Sequence, residues 1–310
     1  MLSLFRVIAM YNPEIKERFL NENANAKFIL SMCARYEESI GKDISQMNKH
    51  EANLVLQSAD LCELSTIEGM LSVGSTYTKW CKDNNLLPDI SDGFTSIDVK
   101  DIDPSAVMAK MFFRDEEDFI RSMRKVREFD EGYPEIIGLV FVWLGLGYNE
   151  ATTLKDTCVD LKARVIYDND GNVLIHSFSD GIHSIFEQFV RCTNGNRGAY
   201  NVVKDRSLDL FLKRMCSPSS PKMGTPILPR QLTNAVNRMN FQYEELGYPP
   251  RFSMLNVKRS GSLYRLWLAE QNGLDVSDKN NREEVERVYC GKKYRNIIWQ
   301  YKYYKKAFNL

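Results

Sequence analysis

From Asn12 to about Asn84, apolar residues recur at spacings of three and four, as at Phe28, Ile29, Met32 and Tyr36, the signature of amphipathic helices. The segments "PEIKERFLNENANAKFILSMCARYEESIG", "NKHEANLVLQSA" and "LSTIEGMLSVGSTYTKWCKDNN" therefore predict a compact helical domain over residues 1–88. Ser65 with Glu68 three residues on reads as a capping box at the start of the last of these helices. Residues 89–105 lose the periodicity and mix Pro, Gly, Ser and several Asp, which predicts an interdomain linker.

A second domain is expected over 106–310. "DEEDFIRSMRKVREFDEG" is an amphipathic helix with acids first and bases later, matching the helix dipole. The run Ile136 to Leu144 is about half of the roughly 20 residues a membrane span needs, so it predicts a buried helix. "ARVIYD" and "NVLIHSF" around the turn "NDGN" predict a β-hairpin. Further helices are predicted in "SIFEQFVRC", "SLDLFLKRMC", "PRQLTNAVNRMNFQYEELG", "GSLYRLWLAEQNG", "REEVERVYCG" and "RNIIWQYKYYKKAF". The fold class is mainly α in two domains, the second an α+β domain with one small antiparallel sheet.

A chain of 310 residues exceeds the usual single core, consistent with two domains. Seven cysteines never form a CxxC pair, and only His50, His176 and His183 are available, so neither a metal site nor a cofactor is expected. The start of the chain lacks a signal-peptide pattern, which places the protein in the cytoplasm with no membrane partner. The net charge of zero hides an asymmetry of −6 over residues 1–105 and +6 over 106–310.

The buried run ends in "GLGYNEATTLKD", and the order of elements together with this junction resembles the tyrosine recombinases, the phage integrase family, over roughly Asn12 to Phe308. That family ends the buried helix with G-[LYF]-R-x-x-E; here "GYNEAT" puts Asn149 at the arginine and Thr152 at the glutamate, with Asp160 at the following acidic position. The H-x-x-R box resembles "NVKR", with Asn256 for histidine and Arg259 for the second arginine, Arg265 being an alternative. "CGKKYRNIIWQY" carries the glycine-to-tyrosine spacing from Gly291 to Tyr301, with Lys292 at the histidine position. The family's hairpin lysine has no counterpart between Ala163 and Val203.

The resemblance implies a helical core-binding domain followed by a tyrosine-recombinase-like domain, and phosphodiester attack by tyrosine with two arginines stabilising the developing charge. Asparagine supplies no fixed charge and no bidentate fork. The expectation is a recombinase fold that binds double-stranded DNA without cutting it. Within the family the chain is similar to the recombinase-derived repressors of SPbeta-type prophages, which implies transcriptional repression in lysogeny. The alternatives are a working recombinase that uses Tyr301 and Arg259 with Lys292 or Lys204, and an interaction protein that does not touch DNA. Neither an oligomeric state nor a peptide or protein antagonist can be read from the residues.

Two segments are candidate DNA contacts. From Gly291 to Ala307, Lys292, Lys293, Arg295, Lys302, Lys305 and Lys306 interleave with Tyr294, Trp299, Tyr301, Tyr303 and Tyr304, and no acid occurs. Along "PRQLTNAVNRMN", Arg230, Gln231, Asn234, Asn237 and Arg238 are residue types that read base edges. Arg259 is a candidate phosphate contact, and Lys79 and Lys82 are the candidates in the first domain.

Overall fold

The computed structural model describes residues 11–57, 63–126, 133–197, 200–289 and 293–310. The chain divides into two compact units: residues 1–108 with 302–310, and residues 109–301.

The first unit contains α1 (Pro13–Glu22), α2 (Lys27–Ile40), α3 (Lys49–Gln57), α4 (Leu64–Asp83) and α5 (Ser105–Met111, whose last turn enters the second unit). Its core is unusual because charge sits in the middle of it. Lys16 of α1, Glu37 of α2 and Asp43 just beyond α2 are all fully buried. Lys16 Nζ donates to both Glu37 oxygens and lies 3.8 Å from Asp43. Asp43 is satisfied by donors from the Ser45 backbone and hydroxyl, Tyr77 and Asn12. The face of α2 that is buried is therefore Leu30, Cys33, Ala34 and Glu37. The stripe expected from hydrophobicity misses it, since Phe28 is 70% exposed and Met32 and Tyr36 are only half-buried. A buried ion pair reads as polar surface in any hydrophobic pattern.

Two further expectations are corrected here. The N-cap of α4 is Glu63 and makes no side-chain cap bond, so Ser65 lies inside the first turn. The stretch 89–105 is no free linker. Gly74 of α4 leaves room for the buried Phe94 ring, which a Cβ there would meet at 2.5 Å, and Ser75 Oγ donates to Phe94 O at 2.9 Å. Asp98 caps a short 3-10 turn through Lys100 N. Its Pro, Gly and Asp fold the segment onto α4, and the boundary falls near Met108.

The second unit holds α6 (Glu116–Arg124), α7 (Pro134–Trp143), α8 (Tyr148–Thr153), α9 (Asp180–Arg191), α10 (Pro229–Glu245), α11 (Met254–Gln271), α12 (Arg282–Val288) and most of α13 (Tyr294–Phe308). The part of the first predicted helix beyond Val126 lies outside the described residues. Every residue of α7 except Glu135 is buried, as its unbroken apolar run requires. Its closest neighbour is α11: a Cβ on Gly261 would stand 2.0 Å from the Trp143 carbonyl oxygen. Arg265 donates to that same oxygen at 2.6 Å, and the Ser260 hydroxyl accepts from Phe113 N at 3.0 Å.

β1 (Val159–Asp160), β2 (Val165–Tyr167) and β3 (Val173–Ile175) form an antiparallel sheet in that order, and the expected hairpin is β2–β3. A second antiparallel sheet, β4 (Asn194–Arg197), β5 (Tyr200–Lys204) and β6 (Met215–Cys216), was not expected from the sequence. It overturns the helix predicted in "SLDLFLKRMC". That segment is a loop closed by Lys213, whose ammonium bonds the carbonyls of Leu208 and Leu210, and by Asp205 N to Arg214 O at 2.8 Å. Phe211 and Leu212 still point into the core, so their apolar character reflects burial and not helical period.

Two measurements test this packing. Gly261→Ala is expected to cost about 1–3 kcal/mol or more in urea unfolding, because the backbone of α7 cannot yield as a side-chain tip would. The second concerns pH. Burial, opposed by Lys16 and reinforced by Asp43, raises Glu37 from 4.5 to about 7. The folded state then binds more protons than the unfolded one between these values, so this contribution is full below about pH 4.5 and lost as pH rises through about 7. Stability measured at pH 5, 6, 7 and 8 is expected to carry this downward component, and Glu37→Gln to remove it.

Candidate nucleic-acid interface

The junction after α7 is built by a tight reversal. Gly145 has φ +109, Gly147 is the N-cap of α8, and its amide donates to the Glu150 carboxylate. This presents Asn149 on the exposed side of α8, while Thr152 turns inward and bonds the Tyr148 and Asn149 carbonyls. Asp160 is exposed on β1 and accepts from Ala163 N. The position expected to hold a cation thus carries a neutral amide facing solvent.

Asn256 and Arg259 sit one turn apart on α11, with Asn256 2% and Arg259 3% exposed. The Asn256 side-chain oxygen is buried without a hydrogen-bond partner among the described residues, which costs about 1–3 kcal/mol. Of the two candidate arginines, Arg265 holds the helices together, tying α11 to the end of α7 through Trp143 O and bonding Ser262.

Lysine is absent from the β2–β3 turn. Asp168 organises it instead, accepting from Asp170 N, Asn172 N and the Asn172 amide. Lys204 belongs to the second sheet, where it is buried and donates to Phe189 O; burial first, then Arg206 and Lys213, lowers its pKa to about 8.

Tyr301 is buried on α13, and its hydroxyl donates to Glu270 Oε2 at 2.8 Å. Burial, then this bond and the charge of Glu270, push its pKa up, the wrong direction for a nucleophile. Glu270 gave no signal in the sequence, since nothing in the spacing joins α11 to α13. Tyr303 and Tyr304 are likewise buried, while Tyr294 and Trp299 are half-buried. Lys293, Arg295 and Lys302 are exposed, Lys306 pairs with Asp103, and Lys292 with Gly291 lies outside the described residues.

On α10 the inner face is Leu232, Ala235, Val236, Met239 and Tyr243. Arg230, Asn234, Asn237 and Arg238 are exposed on the other side, and no acid occurs from Pro229 to Tyr243. Gln231 is half-buried with its oxygen accepting from Leu228 N and Arg214, which makes it a cap for the helix and no part of the exposed stripe. α10 also packs against α8, the helix that carries Asn149. In the first unit Lys79 and Lys82 are exposed on α4, and Trp80 is half-buried, stacking on Tyr77 and bonding Glu22.

Residues 10–83, in the helical first unit, match the family model "MrpR, N-terminal core-binding domain". No curated protein sequence matches the chain. Among solved structures, XerA recombinase is similar at 10% identity and a TM-score of 0.40, covering 96% of this chain and 95% of that one. The Tn1549 transposon integrase in complex with a circular intermediate DNA is similar at 11% identity and a TM-score of 0.40, with 93% of each chain covered. The same integrase with transposon right end DNA gives 10% identity, a TM-score of 0.39 and 92% of each chain. Among the described residues no helix is long and apolar enough to cross a membrane, and no His, Cys, Asp and Glu cluster could hold a metal ion.

Tyr301→Phe removes one donor from a charged acceptor, so it is expected to lower stability by about 1–3 kcal/mol. Chemical denaturation checks this; an unchanged midpoint would detach Tyr301 from Glu270.

Proposed function

We propose that this chain is a sequence-specific double-stranded DNA-binding protein that does not cleave its target, acting as a transcriptional repressor of phage or prophage type. The observation that carries the reading is the α10 stripe: Arg230, Asn234, Asn237 and Arg238 exposed on one side of a helix whose first four turns hold no acid. Arginine recognises guanine and asparagine adenine through the major groove, while the arginines also draw the helix toward phosphate. The core-binding domain over residues 10–83 supports DNA as the ligand, with Lys79 and Lys82 its exposed contacts.

The absence of cleavage is supported by three features. Asn149 offers a neutral amide where charge would have to be stabilised. The β2–β3 turn is acidic at Asp168 and Asp170. Tyr301 is held as a donor to Glu270. Members of a catalytic set act cooperatively, so losing several costs far more than a proportional share of rate. The repressor assignment is supported by the resemblance to recombinase-derived repressors.

The test is to mix the purified protein with sheared DNA of its own genome, recover the bound fragments and sequence them. Recurrent short sites near gene starts are expected. Arg230→Ala and Arg238→Ala should each weaken binding to such a site by about 1–3 kcal/mol if they read a base, or reduce the salt slope by about 1 if they hold a phosphate. A nicked duplex carrying the site is expected to yield no covalent protein–DNA adduct. An adduct that vanishes in Tyr301→Phe would establish a recombinase, and no enrichment of any fragment would overturn DNA binding.

A further inference from the structure

Phe241 of α10 is 62% exposed, the largest exposure of any large apolar side chain described in the second unit. It is no displaced core residue, because the inner face of the helix is already filled by Leu232, Val236, Met239 and Tyr243. It follows Arg238 by three positions, Asn237 by four, Asn234 by seven and Arg230 by eleven, the spacings that line up on one helical face. The residues one turn to either side of it are Asn237, Arg238, Glu244 and Glu245. An aromatic meant to anchor a protein partner sits in a contiguous apolar patch; this one closes a polar stripe that is free of acids from Pro229 to Tyr243, with Glu244 and Glu245 on the turn beyond it.

We propose that Phe241 reads a thymine, by apolar contact with its 5-methyl group in the major groove, beside an adenine read by Asn237. This rests on the DNA-binding reading above. The chemistry fits because the methyl is the only apolar group that the major groove edge displays, and phenylalanine is among the side chains that recognise it. The geometry fits as well. Four residues of helix rise about 6 Å, and successive base pairs along a strand are about 3.4 Å apart, so Asn237 and Phe241 reach base pairs one or two steps from each other. The target therefore contains an A·T pair and a thymine at that separation, with the arginine-read positions on the Arg230 side.

The experiment is a cycle between protein and DNA. Each thymine of a site recovered by genomic capture is replaced in turn by deoxyuridine, which lacks only the methyl, and dissociation constants are measured by fluorescence anisotropy for the wild type, Phe241→Ala and Phe241→Leu. At one thymine the wild type is expected to lose about fourfold in affinity, the worth of one buried methyl. Phe241→Ala should bind the thymine site more weakly and show no difference between thymine and deoxyuridine at that position, while Phe241→Leu keeps part of it. Deoxyuridine effects that are the same in wild type and Phe241→Ala at every position overturn the inference, as does a change of oligomeric state in Phe241→Ala. A wild type that binds no duplex fails the functional reading itself, whereas a wild type that binds with no coupling at Phe241 fails only this inference.

Discussion

The second unit depends on one close approach. α11 crosses α7 with only the hydrogen of Gly261 between its backbone and the Trp143 carbonyl, and Arg265 then bonds that carbonyl from the next turn. Trp143 is fixed from the other side by a parallel stack on Phe119 at 4.6 Å and an edge contact with Phe113. Because interiors are packed at crystal density, this contact sets the height and rotation of α11, and with them the depth of Asn256 and Arg259. The same helix end fixes the reversal at Gly145 and Gly147 that exposes Asn149. Asn149, Asn256 and Arg259 are therefore positioned by the packing of α7 against α11.

The first unit solves the same problem with charge. Lys16, Glu37 and Asp43 replace apolar side chains at the centre of α1, α2 and α4, and every oxygen of Asp43 finds a donor. A buried pair of this kind adds little net stability over a hydrophobic equivalent, but breaking it by removing one partner costs about 3–5 kcal/mol. Its directional bonds tie the end of α2 to α4 through Tyr77 and to the segment before α1 through Asn12. An apolar trio would fill the space without specifying which residues meet.

Most helices were legible because their apolar period is strong, and the hairpin because Asn, Asp and Gly mark its turn. What was illegible had a physical cause in each case. The buried face of α2 was misread because Glu37 counts as polar until Lys16 is brought beside it. The second sheet was missed because β4 is "NGNR" and β6 is two residues long, too short and too polar for a period to register. The supposed linker folds back through Phe94 and Ile102, buried apolar residues that stand without a regular period among turn formers. For the candidate site, motif spacing singles out Asn149, Asn256, Arg259 and Tyr301, but nothing local could show that Arg259 is enclosed or that Glu270 holds Tyr301.

The bond from Tyr301 to Glu270 bears on what the hydroxyl could do in any reaction. A site can keep its reactive group free and lack only the groups that stabilise the transition state, or it can also commit the reactive group elsewhere. The Tyr301 hydroxyl donates to a carboxylate, and its ionisation would place two negative charges 2.8 Å apart in a partly buried setting. The polar stripe of α10 carries no such commitment among Arg230, Asn234 and Asn237, whose side chains remain exposed.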